Sequence, residues 1–440
     1  MSAAGGAVPG IGGAADGSGA GRAVDARGPA VAASGARSSG ARSSGASSSG
    51  STSFSAASSG STSEVPLDVI RARAYLSRVA EPPAVALARF VDTLGAVAAA
   101  AQVWAGDVPD AVAAETAARR TVDNVDADLA AARAVGARLL VPEDPEWPHW
   151  AFAPFGVTGT PGLAPPLALW VRGRVSLAEA TDRAVAVVGA RAATGYGSHV
   201  AGEFGAGLAA AGATVVSGAA IGIDGAAHRG ALAADGVTVA VLACGVDRAY
   251  PASHSGLLDR IAGTGLIASE YPPGSVPARH RFLVRNRLIA GLGAGTLVVE
   301  AARRSGAQRT AADTRALGRL VMAVPGPITS ALSAGCHDLI RDGALLVTRP
   351  EEVREAVGRI GVDLADEPMR PGRPTDGLDG AAGLVYDALP ARGARDSRWL
   401  AKEAGVPPDA VRAVLTDLER RGLARCRDGL WQLVRPSGGG

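Results

Sequence analysis

The sequence predicts an α/β protein: a mostly parallel sheet covered by helices, with a small helical domain ahead of it and a winged helix behind it. Three observations carry this prediction. Residues 165–350 alternate short, continuously apolar runs with stretches of helical spacing. Such runs are the signature of parallel strands buried on both faces and joined by helical crossovers. Residues 65–150 carry apolar residues at helical spacing, as amphipathic helices do. Residues 381–436 read as helix, helix, turn, helix and hairpin, the order of a helix-turn-helix with a wing.

The elements follow in chain order. Residues 1–63 are dominated by Gly, Ala and Ser, as in "SSGARSSGASSSGSTS". Such a composition cannot bury enough apolar surface to offset its ordering entropy, so a disordered tail is expected. From Val65 the helical pattern begins, in "LDVIRARAYLSRVA", "PAVALARFVDTLGAVAAAAQVWA" and "AVAAETAARRTVDNVDADLAAARAVGA". "RLLVPEDPEWPHWAF" resembles a short strand followed by a Pro-rich loop. Strands are expected at "LALWVRG", "AVAVVGA", "TVVSG", "TVAVLA", "LIASEY", "TLVVEA", "LVMAVPG" and "ALLVT". Helices such as "SHVAGEFGAGLAAAG" and "DGAAHRGALAADG" fit between them. Residues 351–380 form a linker. Beyond it, "RWLAKE" and "AVRAVLTDLERRG" flank a turn at Gly405, and "LARCRDGLWQLV" places Asp428-Gly429 as a type I′ hairpin turn.

Composition narrows the function. The net charge is only +2 over 440 residues, so the chain cannot coat a polyanion by bulk charge, and any such affinity must come from local clustering. Apart from Lys402, every basic residue of the Lys and Arg type is arginine, whose planar fork suits phosphate. Cys244, Cys336 and Cys426 show no CxxC or paired spacing, so neither disulfides nor a structural zinc are expected; this suits a reducing cytoplasm. No apolar run approaches the roughly 18 residues of a membrane span, and no basic-then-apolar leader opens the chain.

Four strands of the central region end in small or turn-forming residues. These ends are Gly189-Ala190-Arg191, Ser217-Gly218, Glu300 running on to Ser305-Gly306, and Pro325-Gly326. Glycine there lets a ligand approach backbone amides, and helices starting there offer free N–H groups and a positive dipole end to an anion. Neither a full GxGxxG nor a GK[ST] loop is present. The stretch "HRFLVRNRLIAGLGAGTLVVEA" adds Arg281, Arg285 and Arg287 just before a buried strand. That cluster is either a solvated helix start or an anion site. Asp224 and His228 share a helix face; they are a helix cap with a packed partner, or a catalytic or metal pair. No further His or Cys falls at ligand spacing and no Ser-His-Asp set is evident, so no catalytic residue, metal or cofactor is expected. Among Tyr196, Tyr250, Tyr271 and Phe282, the phenylalanine beside the arginines is the best stacking candidate.

"GARAATGYG", "SGAAIGIDGAAHRGAL", "VLACGVDRAYP", "IASEYPPG", "RFLVRNRLIAGL", "VVEAARRSGAQRTA" and "AVPGPITSALSAGCHDLIRDGA" resemble, in the right order, the DNA-processing protein A family (DprA, also called Smf). The resemblance implies an extended Rossmann-like fold, with a SAM- or HhH-like helical domain before it and a winged helix after it. It implies a cytoplasmic, dimeric protein that binds single-stranded DNA and assists loading of the RecA recombinase, without catalytic turnover. It maps the family's Gly-Ser-Arg turn onto Gly189, Ala190 and Arg191. The second glycine-rich turn maps onto Ser217, Gly218, Gly222 and Asp224, and the Arg-Asn-Arg segment onto Arg285, Asn286 and Arg287. Phe282, Ser305, Gly306 and Arg309 complete the expected DNA site. Ile221 stands where the family often has a lysine or polar residue, and Gln308-Arg309 interrupt a usually apolar segment. On this reading, replacing Arg191 and Arg287 weakens binding and leaves the fold nearly unchanged. The winged helix could contact duplex DNA through Arg412, Arg420, Arg421, Arg425 and Arg427, or contact protein. An alternative is a Rossmann-like nucleotide N-glycosidase, a phosphoribohydrolase, although "VPGPITS" lacks the double glycine and threonine of a "PGGxGT" loop. Another is a duplex-DNA regulator acting through the winged helix.

Overall fold

In this computed structural model, residues 65–358, 363–365, 375–378 and 380–434 are described. The expected tail at 1–63 and most of the expected linker lie outside them. The helical segment carries α1 (Leu67–Val79), α2 (Val85–Leu94), α3 (Ala96–Ala105), α4 (Asp110–Thr116) and α5 (Val125–Ala134). It continues into β1 (Ala137–Leu140) and α6 (His149–Val157). There follow β2 (Leu169–Gly173), α7 (Leu177–Asp182), β3 (Ala184–Val188), α8 (Gly195–Ala210), β4 (Thr214–Ser217), α9 (Ile223–Ala233) and β5 (Thr238–Val241). Then come α10 (Ser255–Thr264), β6 (Leu266–Ser269), α11 (Arg279–Leu292), β7 (Gly295–Val298), α12 (Gly306–Ala316), β8 (Leu320–Ala323), α13 (Ala334–Arg341), β9 (Leu345–Leu346) and α14 (Pro350–Val357). Each of the eight apolar runs expected as strands in residues 165–350 holds one of β2 to β9.

These strands form one nine-stranded sheet, in the order β1-β2-β6-β5-β4-β3-β7-β8-β9. It is parallel from β6 across to β9, and antiparallel only where β1 meets β2 and β2 meets β6. The core explains why the strands read as unbroken apolar runs. Ala184, Ala186 and Val188 of β3 pack with Leu288 and Ile289 of α11. Val185 and Val187 pack on the other face with Phe204 and Leu208 of α8 and Ile223 of α9. Successive side chains of a strand point to opposite faces, so two covered faces demand apolar residues at every position. Each fully buried Val, Leu or Ile contributes about 1.5–3 kcal/mol.

The helical segment shares its core with the sheet. Leu76, Leu87 and Val91 belong to the same cluster as Leu139, Trp170, Ala240 and Ile267. Strand β1 comes from that segment and extends the sheet edge. Among the described residues, no helix is long and apolar enough to cross a membrane.

The C-terminal segment carries α15 (Ala381–Ala388), β10 (Arg395–Asp396), α16 (Ser397–Ala404), α17 (Pro408–Arg420), β11 (Ala424–Arg427) and β12 (Leu430–Leu433). Its strands pair antiparallel in the order β10-β12-β11. Asp396 caps α16 by accepting from the Trp399 amide at 2.7 Å. Gly405 ends that helix at φ +62°, the left-handed position that favours glycine. Asp428 and Gly429 both have positive φ, as the expected type I′ turn requires. Leu400, Val411, Leu415 and Leu418 form this segment's own core.

Candidate functional site

The chain leaves β3 to one side for β4, β5 and β6, then returns on its other side for β7, β8 and β9. In open sheets of this kind, ligands settle in the crevice outside the strand ends where the order reverses. That place, between the ends of β3 and β7, holds a cavity of about 620 Å³. Its walls are the β3–α8 turn, the β4–α9 loop, the start of α11 and the start of α12. Three arginines, Arg191, Arg279 and Arg285, line it against one carboxylate, Asp224.

Arg191 is exposed, and its guanidinium lies 5.1 Å from the centroid of the Phe282 ring. Phe282 in turn sits 5.2 Å from the ring of Tyr250. The result is a cation stacked on an aromatic pair, with Tyr250 42% exposed. Arg191 and Arg279 have no carboxylate partner among the described residues.

Arg285 forms the floor and is only 4% exposed. One of its nitrogens donates to the Val241 carbonyl at 2.8 Å, while its Nε has no partner. Burial pushes its pKa down to about 10; Asp224 opposes the fall and Arg191 adds to it, so it remains a cation at neutral pH. Gly218 makes room for it. A Cβ there would lie 1.7 Å from the Arg285 Nη1. Asn286, beside it, donates to the Gly306 carbonyl at 3.3 Å and ties α11 to the start of α12.

The helix N-termini are not equivalent. Glu300, at the end of β7, accepts from the Thr194 amide at 3.0 Å and the Thr194 hydroxyl at 2.7 Å. Thr194 caps α8 by accepting from Gly197, so a protein carboxylate already serves that helix start. Asp224 accepts from the amides of Gly218 and Ala220 at 3.2 and 3.5 Å and fills the β4–α9 loop in the same way. Burial pushes the Asp224 carboxyl up, with Arg285 pulling against it. Helix α12 differs. No side chain caps it, and the Ser305 hydroxyl beside it is buried without a partner. Its first amides therefore remain available to an anion.

The structure brings together Gly189, Ala190, Arg191, Phe282, Arg285, Asn286, Ser305 and Gly306 around this one cavity. The remaining expected site residues lie elsewhere. Ser217 is buried and donates to the Val187 carbonyl at 2.6 Å. Gly218 and Gly222 act behind the wall. Gly222 has φ +89°, and a Cβ on it would meet the Ala190 and Arg191 carbonyls at 2.3 and 2.4 Å, so it seats the turn that presents Arg191. Arg309 lies one turn along α12, paired with Asp313 at 3.0 Å. Arg287 corrects the expectation most clearly. It is 2% exposed, clasps both oxygens of Glu270 at 2.5 Å, and donates to the Ala164 carbonyl. Its guanidinium is fully engaged away from the cavity, and Arg285 occupies the place expected for it.

Sequence reasoning missed Arg279, one helical turn before Phe282. It also treated Arg281 as part of the same cluster, whereas Arg281 turns to Glu81 at 2.8 Å. His228 is a packed residue. Its Nδ1 lies 2.7 Å from the Thr238 hydroxyl, which itself donates to the Val215 carbonyl. Nδ1 is therefore the protonated nitrogen, and Nε2 is buried without a partner.

Residues 138–358 match the family model described as DNA recombination-mediator protein A. A Mycobacterium tuberculosis (strain H37Rv) protein named as a DNA processing protein DprA is 53% identical over 372 residues, covering 84% of this chain and 95% of its own length. The DNA processing protein DprA of Streptococcus pneumoniae (strain R6) is 46% identical over 107 residues, 24% of this chain and 38% of its own. The X-ray structure of DNA processing protein A from Streptococcus pneumoniae is similar at a TM-score of 0.53 and 30% identity, covering 65% of this chain and 96% of that one.

Proposed function

We propose that this chain, which belongs to the DNA recombination-mediator protein A family, holds single-stranded DNA in the cavity between the ends of β3 and β7. Its role is that of a DNA-processing recombination mediator. The observation that carries the proposal is the pairing of unsatisfied polar groups with stacked aromatics on one wall. Arg191 lies over Phe282, whose ring packs against Tyr250. The Arg285 Nε and the Ser305 hydroxyl lack partners, and α12 starts uncapped beside them. Binding a flexible single strand without sequence preference needs these parts: cations for phosphates and flat rings for bases. A duplex keeps its bases stacked inside, where Phe282 and Tyr250 could not reach them.

The finer reading rests on the family. The protein protects incoming single strands, works with the RecA recombinase, acts as a homodimer in the cytoplasm, and turns over no substrate. The C-terminal segment is read as a winged helix. Its α17 arginines are paired along their own helix, Arg412 with Asp409 and both Arg420 and Arg421 with Asp417.

The test is a titration of single-stranded and duplex oligonucleotides of equal length against the parent and the double variant Arg191→Ala/Phe282→Ala. Charge-assisted contacts are each worth about 1.5–3 kcal/mol, so single-strand affinity should fall at least about ten-fold with an unchanged melting temperature. Equal affinity in parent and variant would reject the cavity as the binding site.

A further inference from the structure

We propose that a second groove, across the first turn of α11 from the main cavity, is a contact for the sugar–phosphate backbone of the strand as it leaves that cavity. The proposal rests on the single-strand reading above. Residues 276–282 form a divide. Pro277, Ala278, Arg279 and Phe282 face the main cavity, whereas Val276 and Arg281 line a groove of about 270 Å³ on the other side. The opposite wall of that groove comes from the helical segment, with Arg78 and Arg119.

Among the described residues, Glu81 is the only carboxylate lining this groove, and three basic side chains converge on it. Arg281 approaches at 2.8 Å, Arg119 at 3.2 Å and His280 at 3.2 Å. Burial pushes the Glu81 carboxyl up, but the hydrogen bonds from Arg281 and His280 outweigh it and hold the carboxyl below its ordinary range. Arg281 alone is enough to satisfy this carboxylate. It uses two nitrogens on Glu81 and a third on the Val276 carbonyl, and lies 4.4 Å over the Tyr271 ring.

Arg119 and His280 are different. Their side chains are 40% and 61% exposed, and Arg119 commits only one nitrogen to Glu81. Exposed ion pairs of this kind add little to stability, so stability does not explain why they gather here. The effect of Arg119 is to leave positive charge beside an α11 start that has no acidic residue and no capping side chain. Unpaired Arg279 continues that charge into the main cavity. A phosphodiester crossing this divide would meet the free nitrogens of Arg119 within a continuous cationic track. The helical segment thereby becomes part of the binding surface.

Strand length provides the test, because a short oligonucleotide fills only the main cavity. The full chain and its Arg119→Glu variant are titrated with fluorescent oligo(dT) of about 6 and about 15 nucleotides, within the range of site sizes single-strand-binding modules use. For the shorter strand, affinity should stay within about two-fold. For the longer strand it should fall about ten-fold, the worth of one charge-assisted contact, and its salt slope should lose about 0.7 per phosphate released. A second variant, Glu81→Gln, removes the competing carboxylate and should tighten binding of the longer strand only; it carries the test if Arg119→Glu does not fold. Loss that is equal for both lengths, or absent for both, overturns the track while leaving the main cavity standing. A parent protein that binds neither length ends both readings together.

Discussion

Arg285 and Arg287 stand two residues apart on α11 and do unlike work. Positions i and i+2 of a helix face different sides, so one arginine reaches the cavity and the other reaches Glu270. Sequence could say that the two do not point together; it could not say which one meets a carboxylate 17 residues upstream. The consequence is measurable. Arg287→Ala leaves Glu270 buried and unpaired, a loss of about 3–5 kcal/mol, seen as a large fall in the urea midpoint. This replaces the sequence-based expectation that the fold would tolerate the change. His228 gives a second residue-scale prediction. Burial lowers its pKa to about 3, against about 6.5 in an unfolded chain. Between those values the unfolded state binds a proton that the folded state refuses, so stability falls as pH drops from about 6.5 toward 3, by up to about 1.4 kcal/mol per pH unit. His228→Asn keeps a donor toward Thr238 and should flatten that slope; parallel parent and variant curves of unfolding free energy between pH 7 and pH 5 would sink the argument.

Whole elements decide which turns stay open. Glycine turns at the ends of β3, β4 and β7 looked alike as sequence. Glu300 serves the start of α8, and Asp224 fills the loop before α9, so of the helices that follow these three turns, α12 is the one whose first amides stay unserved among the described residues. Helix α11 carries Phe282, Arg285 and Asn286, and is fixed at its far end by an arginine that nothing in its own sequence announces. Arg319 donates to the carbonyls of Ala290, Gly291 and Gly293 at the end of α11 and to Ala151 of α6. Burial lowers its pKa to about 10, which leaves it charged. Arg319→Ala should cost about 1–3 kcal/mol, because the carbonyls it serves lose their donor. Thermal denaturation at neutral pH checks this, and an unchanged melting temperature would mean that solvent replaces the arginine without loss.

Across the whole molecule, the net charge of +2 conceals a local excess of three arginines over one carboxylate in the main cavity. The sheet order creates that excess. Residues 191, 285 and 305 lie far apart in the chain and meet because β3 sits between β4 and β7. The same assembly draws the helical segment into the sheet, through β1 and a shared core, where helical spacing over residues 65–150 suggested a small domain of its own.

By itself, the sequence determined the fold class, the strand and helix order, the hairpin turn at Asp428-Gly429, and the concentration of glycine turns and arginines near the carboxyl ends of the strands. These are local properties, written in periodicity and in the backbone demands of individual residues. Only the tertiary structure decided which arginine faces the cavity, which carboxylates occupy the helix starts, and that Glu81 gathers cations from two segments. Those outcomes depend on contacts between residues far apart in the chain, and the burial that makes a charge choose its partner exists only once the sheet has closed around it.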